Sequence, residues 1–132
     1  MNSIRFLPTS VHGVLDYIVG IALIAAPWLF GFAYVGGIAV YLPIILGIGL
    51  IVYSFFTNYE LGIPAIKFIP MPLHLVFDFV AAALLAASPF LFGFSDKPLN
   101  VWLPHFVVGI VVILVVIVSQ THPRMMAKAK AA

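Results

Sequence analysis

Two ionisable pairs of the same spacing sit inside apolar sequence. In SVHGVLDYIVG, residues 10–20, His12 and Asp16 are four positions apart, and in PLHLVFDFVAA, residues 72–82, His74 and Asp78 repeat the arrangement. Side chains at i and i+4 share one face of one helical turn. An imidazole beside a carboxylate allows three kinds of chemistry. The preferred one is a structural clamp: a carboxylate in the first two turns of a helix is favoured by the dipole, and a neutral or charged imidazole satisfies it. The second is a proton or ion pathway, because histidine titrates near neutral pH and paired intramembrane acids and imidazoles suit relays. The third is a metal site, since two His and two Asp make a tetrahedral nitrogen/oxygen set. Haem held by His12 and His74 is a less favoured form of that third reading.

The elements that must position these groups follow from composition. The chain has 132 residues, 64% of them hydrophobic and 8% charged, with a mean hydropathy of +1.24. A soluble domain is about half apolar and about a quarter charged, and a small one leaves much of its area exposed. The solvent is therefore lipid, and the length suits one membrane domain of a few spans. The absence of cysteine excludes disulfides and thiolate metal sites. The net charge is +2, and most basic residues flank apolar segments. That placement speaks for membrane orientation and against nucleic-acid binding. Arg5 and the run ending IALIAAP have some features of a cleaved signal peptide. Pro27 is a poor cleavage context, however, and the segment recurs internally.

The recurrence is an internal repeat. Aligned at an offset of 62, residues 6–32 and 68–94 are identical at 12 of 27 positions, including His12/His74, Asp16/Asp78, Pro27/Pro89 and Gly31/Gly93. After a one-residue slip, VYLP at 40–43 matches VWLP at 101–104. The expected organisation is a first repeat over 1–60, a linker over 61–72 and a second repeat over 73–132 with a basic tail. Each repeat holds two apolar segments, 10–32 and 39–57, then 73–93 and 101–120. Each is long enough to cross about 30 Å of hydrocarbon at about 1.5 Å per residue. Backbone groups in lipid must bond internally, so the segments are helices. Without period-2 alternation a β-barrel is disfavoured.

The predicted fold is an all-α membrane protein of four transmembrane helices, arranged as two tandem parallel repeats about a pseudo-twofold axis along the membrane normal. Thr9 or Ser10 is expected to cap the first helix. Pro43 and Pro104 should lie near the starts of the second and fourth. Pro27 and Pro89 should kink or end the first and third, with Gly31 and Gly93 turning the chain in left-handed geometry. Gly13 and Gly20, with Ala81 and Ala82, are expected to let the first and third helices approach closely. That approach would bring the four titratable side chains together, Asp16 facing His74 and Asp78 facing His12.

Orientation follows from the basic residues. Arg5, Lys67, Arg124, Lys128 and Lys130 fall on one side of a four-span topology, and Lys97 on the other. Both termini are then cytoplasmic. Trp28, Tyr34, Tyr41 and Trp102 form an aromatic belt at the outer interface. Glu60 and Asp96 read as solvated loop charges, and His105 and His122 as interfacial residues. Ser54, Ser88 and Ser119 are expected to bond backward to helix carbonyls.

The segments AAPWLFGF, 25–32, and ASPFLFGF, 87–94, resemble the signature of the SPW-repeat membrane proteins. That family is built from a repeated unit of two transmembrane helices with a Ser-Pro-Trp motif in the first. Here the copies read Ala26-Pro27-Trp28 and Ser88-Pro89-Phe90, so only the proline is common to both. The resemblance covers nearly the whole chain. It implies a small prokaryotic integral membrane protein of the plasma membrane, and brings no established activity. In the motif, proline bends or ends the helix, Trp28 or Phe90 anchors at the headgroups, and Gly31 or Gly93 turns the chain. A second reading has the broken helix presenting backbone groups to a ligand.

No nucleophile–base set, phosphate loop or basic groove is found, and no cofactor is implied. The expected function is a non-enzymatic structural or accessory subunit in contact with membrane lipids, which self-assembles as a homo-oligomer or joins a larger membrane complex. The alternatives are a small transporter or channel with a path past the two His/Asp pairs, and a metal- or haem-binding membrane protein.

Overall fold

Four long apolar segments, with no polar face wide enough to meet water, give four helices. In a computed structural model describing residues 4–123, α1 spans Thr9–Leu29, α2 Gly37–Phe55, α3 Met71–Leu91 and α4 Leu99–Val118. They are 21, 19, 21 and 20 residues long, and each is apolar enough to cross a membrane. The chain is thus an all-α, multi-pass membrane protein. The basic residues Arg124, Lys128 and Lys130 lie outside the described residues.

Helix ends differ in part from expectation. Neither Thr9 nor Ser10 caps α1, whose N-cap is Pro8. The Thr9 hydroxyl instead reaches the Glu60 carboxylate, at 2.9 Å and 2.8 Å from its two oxygens. Glu60 is therefore half-buried against α1, not simply solvated. Pro43 and Pro104 lie inside α2 and α4, more than a turn past Gly37 and Leu99. Glycines at positive φ, Gly36 at 67° and Gly37 at 64°, let α2 begin earlier than the proline suggests. Pro27 and Pro89 do stand in last turns. Beyond them Gly31 and Gly93 take φ of 71° and 73°. The Phe32 and Phe94 amides then bond back to the Pro27 and Pro89 carbonyls, each at 2.8 Å, the closure of a Schellman turn.

Packing makes two helical hairpins. The extensive contacts are α1 with α2 and α3 with α4, while α2 and α3 meet less. The small residues serve these hairpins, not an approach of α1 to α3. A Cβ on Gly47 would stand 2.6 Å from the Gly20 carbonyl oxygen, and one on Gly109 2.7 Å from that of Ala82. Gly13 lies against Leu61. Toward the loop end, an apolar groove of about 260 Å³ separates α1 from α4. A cluster of Ala26, Phe32, Ala39, Val40, Phe94 and Val101 closes that end. The opposite end, where the linker meets the segment before α1 and the end of α4, carries the polar residues.

Candidate functional site

On α1 the buried positions run His12, Gly13, Asp16, Gly20, Leu23, and on α3 His74, Leu75, Asp78, Ala82, Leu85. Helical periodicity therefore puts each His/Asp pair on the inward face, one turn above the other. The two faces meet. His12 Nε2 lies 3.1 Å from Asp16 Oδ1 on its own helix and 2.8 Å from Asp78 Oδ2 across the bundle. His74 Nε2 lies 3.0 Å from Asp16 Oδ2 and 3.2 Å from Asp78 Oδ2. Own-helix and cross-helix pairings thus coexist. The imidazoles meet edge to face, with ring centroids 5.3 Å apart. His12, Asp16, His74 and Asp78 are only 1%, 5%, 0% and 3% exposed. Charges this deep in an apolar bundle persist only with partners.

The outer nitrogens carry N–H groups. His12 Nδ1 lies 2.6 Å from the Ser119 hydroxyl, and that hydroxyl gives its single proton to the Val115 carbonyl at 2.5 Å. His74 Nδ1 lies 2.8 Å from the Thr57 hydroxyl, whose proton goes to the Tyr53 carbonyl at 2.7 Å. A hydroxyl has one proton to give. Both must therefore accept from the imidazoles, so Nδ1 is the N–H in each ring and Nε2 faces the carboxylates. Thr57 and Ser119 stand one 62-residue offset apart, and each serves the histidine of the other hairpin.

Two tyrosines complete the carboxylates. The Tyr53 hydroxyl donates to Asp78 Oδ1, and the Tyr59 hydroxyl donates to Asp16 Oδ2 at 2.7 Å. Tyr59 belongs to the linker, which is no mere surface connection. Its ring is fully buried, 5.2 Å from that of His74. Burial pushes the Tyr59 phenol well above its usual pKa, and the Asp16 charge pushes the same way. The group therefore stays a neutral donor. Backbone pairing of Leu7 with Ser119 and of Thr57 with Ile69 ties the segments before α1 and α3 to the ends of α4 and α2. Arg5 donates to the Val116 and Ser119 carbonyls at 3.0 Å and 2.6 Å, where cations suit a helix C-terminus.

At the loop end the prolines set the polar contacts. A proline leaves the carbonyl four residues earlier without its helical donor. For Pro89 that carbonyl is Leu85, and the Ser88 hydroxyl donates to it at 2.6 Å. For Pro43 it is Ala39, whose oxygen lies 2.7 Å from His105 Nε2. His105 is accordingly not interfacial: it is 2% exposed. Its ring packs between Phe32 and Phe94, at 5.2 Å and 4.8 Å. With Nδ1 2.7 Å from the Val101 carbonyl of its own helix, the ring bridges α4 to α2, and in the Nε2–H tautomer it fills a bond that the sequence itself had removed. Ser119 also bonds backward as expected, whereas the buried Ser54 hydroxyl makes no such bond. Trp28 and Phe90, 65% and 58% exposed, stand on the outer surface beside Pro27 and Pro89. His122 and Asp96 are exposed.

Sequence reading pointed to the four central side chains and missed Tyr53, Thr57, Tyr59 and His105, and for Ser119 it missed the bond to His12. The 62-residue offset linking Thr57 to Ser119 was the available signal for that pair. The tyrosines have no such signal, since Val115 and Thr121 occupy the offset positions.

A family model described as the SPW repeat domain matches residues 10–119. No curated protein and no solved structure matches the chain.

Proposed function

The chain belongs to the SPW repeat domain family, and from that footing we propose that it is a non-enzymatic structural or accessory subunit of a membrane assembly. One observation carries the reading. His12, Asp16, His74 and Asp78 are turned on one another, and His12 with Asp78 at 2.8 Å and His74 with Asp16 at 3.0 Å join the two hairpins where the helices themselves make few contacts. The cluster works as a clamp. What is left outside is a continuous apolar surface of Phe, Ile, Leu and Val on all four helices, suited to lipid, to a second copy or to a membrane partner.

The two hairpins are read as tandem parallel repeats, 1–60 and 73–132 about the linker 61–72, related by a twofold axis along the membrane normal. The reciprocal pairings Leu7 with Ser119 and Ile69 with Thr57 support this, since both members differ by the same offset. The distribution of Arg5 and Lys67 against Lys97 supports cytoplasmic termini, and the family resemblance implies a prokaryotic plasma-membrane protein.

Affinity capture from native membranes tests the reading. Stoichiometric recovery of a second copy or of a membrane partner is expected, together with lower thermal stability of Asp16→Asn and Asp78→Asn. Unchanged stability of both variants, combined with loss of pH-dependent flux in liposomes, would replace the clamp by a conducting path.

A further inference from the structure

We propose that His12, Asp16, His74 and Asp78 form the seat of one divalent transition-metal ion of the zinc type, bound through both Nε2 atoms and one oxygen of each carboxylate. The inference rests on the clamp reading and names what pins the clamp.

Donor geometry comes first. Four-coordinate zinc with bonds of about 2.0–2.1 Å places neighbouring donors roughly 3.3 Å apart. The nearest His–Asp separations are 3.1, 2.8, 3.0 and 3.2 Å, with Asp78 presenting Oδ2 to both rings and Asp16 presenting Oδ1 to His12 and Oδ2 to His74. One donor from each residue can be chosen so that all lie within 4.8 Å of one another. The His–Asp edges are thus close to those of a zinc tetrahedron, and an ion at their centre would draw the wider pairs inward.

The outer N–H groups come second, and they are independent of the spacing. Each Nδ1 proton is committed to a hydroxyl whose own proton is committed to a backbone carbonyl. In the metal-free clamp Nε2 carries the proton that faces the carboxylates, bonded from His12 to Asp78 at 2.8 Å, and an ion that displaces that proton meets the Nε2 lone pair turned inward on both rings. Orientation of a ligating histidine by a hydrogen bond at its other nitrogen is a general feature of metal sites. The carboxylates are held likewise, Asp16 by Tyr59 and Asp78 by Tyr53.

The third observation is an unsatisfied atom. His74 Nε2 is buried and aimed into the cluster, yet no well-directed hydrogen bond reaches it, although carboxylate oxygens stand 3.0 and 3.2 Å away. Buried ring nitrogens are seldom left so. A lone pair aimed at a central ion accounts for it.

Ligand type selects the ion. Two imidazoles and two carboxylates, without thiolates, suit zinc and its first-row neighbours. Calcium needs six or more oxygens, and magnesium an octahedral, largely hydrated shell. Four protein donors, all buried, describe a closed structural site without an open coordination position.

The test uses the full-length protein purified in detergent. Metal analysis should find about one zinc-class ion per chain. After chelation, added Zn2+ should raise the Tm, and Co2+ should give the intense visible bands of tetrahedral coordination. His12→Ala and His74→Ala should lose both responses. Because these variants can fail to fold, Thr57→Val is the second probe: it leaves all four donors in place and removes only the acceptor that orients His74. It should keep the stoichiometry and weaken binding roughly 10- to 100-fold. Folded wild-type protein that carries no metal, shows no Tm response to Zn2+ and gives no tetrahedral Co2+ spectrum overturns the inference. Thr57→Val binding as tightly as wild type overturns the orientation argument on which it depends. If metal is absent while Asp78→Asn still lowers Tm, the clamp stands and this inference alone fails.

Discussion

Ser88 should be needed only because Pro89 follows it. Proline has no N–H to give to the carbonyl four residues earlier, which here is Leu85. The buried Ser88 hydroxyl donates to that oxygen at 2.6 Å. In Ser88→Ala the carbonyl is left buried without this partner, a penalty of about 1–3 kcal/mol. Alanine returns roughly 0.5 kcal/mol through its better helix propensity. The net loss is about 1–2 kcal/mol, which for a chain of this size lowers Tm by roughly 3–8 °C. In a Pro89→Ala background the restored amide can reach the Leu85 oxygen, and removing the hydroxyl should then be nearly neutral. The pair should therefore couple by about 1–2 kcal/mol in a double-mutant cycle. Thermal unfolding of the four proteins in one detergent, followed by far-UV circular dichroism, measures it. An equal Ser88→Ala penalty in both backgrounds would falsify the argument. The first hairpin supplies a contrast, because Ala26 occupies the matching position before Pro27. Ala26→Ser places a hydroxyl near the Leu23 carbonyl and should gain up to about 1 kcal/mol.

His105→Phe keeps a ring between Phe32 and Phe94 but leaves the Ala39 carbonyl unserved, and should destabilise by about 1–3 kcal/mol. Adding Pro43→Ala should recover part of that loss, and denaturant unfolding of the single and double variants checks it. Gly47→Ala sets its new methyl 2.6 Å from the Gly20 backbone oxygen, whereas Gly20→Ala first meets the Ile51 side chain at 2.6 Å. A side chain can move aside more readily than a backbone. Gly47→Ala should therefore cost about 1–3 kcal/mol and Gly20→Ala less, and equal Tm values for the two would refute the account of the α1–α2 contact.

Much of this architecture is carried by short-range properties of the chain. Four apolar runs near 20 residues give four spans, because hydrocarbon thickness and rise per residue set the length. A spacing of four puts His12 beside Asp16 and His74 beside Asp78, because the helical period is local. Gly31 and Gly93 mark the ends of α1 and α3, because only glycine takes that positive φ freely. Other features depend on how the helices dock. Thr57, Ser119, Tyr53 and Tyr59 reach their partners across 17 to 107 positions of chain, and no periodicity in an apolar segment says which way a neighbouring helix is turned. The linker shows the same division. Its prolines keep long helix out of it, leaving one short 3-10 turn at Pro64–Ile66, but the burial of Tyr59 follows from the space between two hairpins. His105 looked interfacial from its place near the start of α4, and became a core residue because Pro43, 62 positions earlier, freed a carbonyl facing it. The sequence by itself determined the spans, their polar faces and their stops, which are properties of single helices. Only the tertiary structure decided which hydroxyl meets which ring, because a hydrogen bond depends on rotations of whole helices by a few tens of degrees, and packing across the bundle sets those rotations.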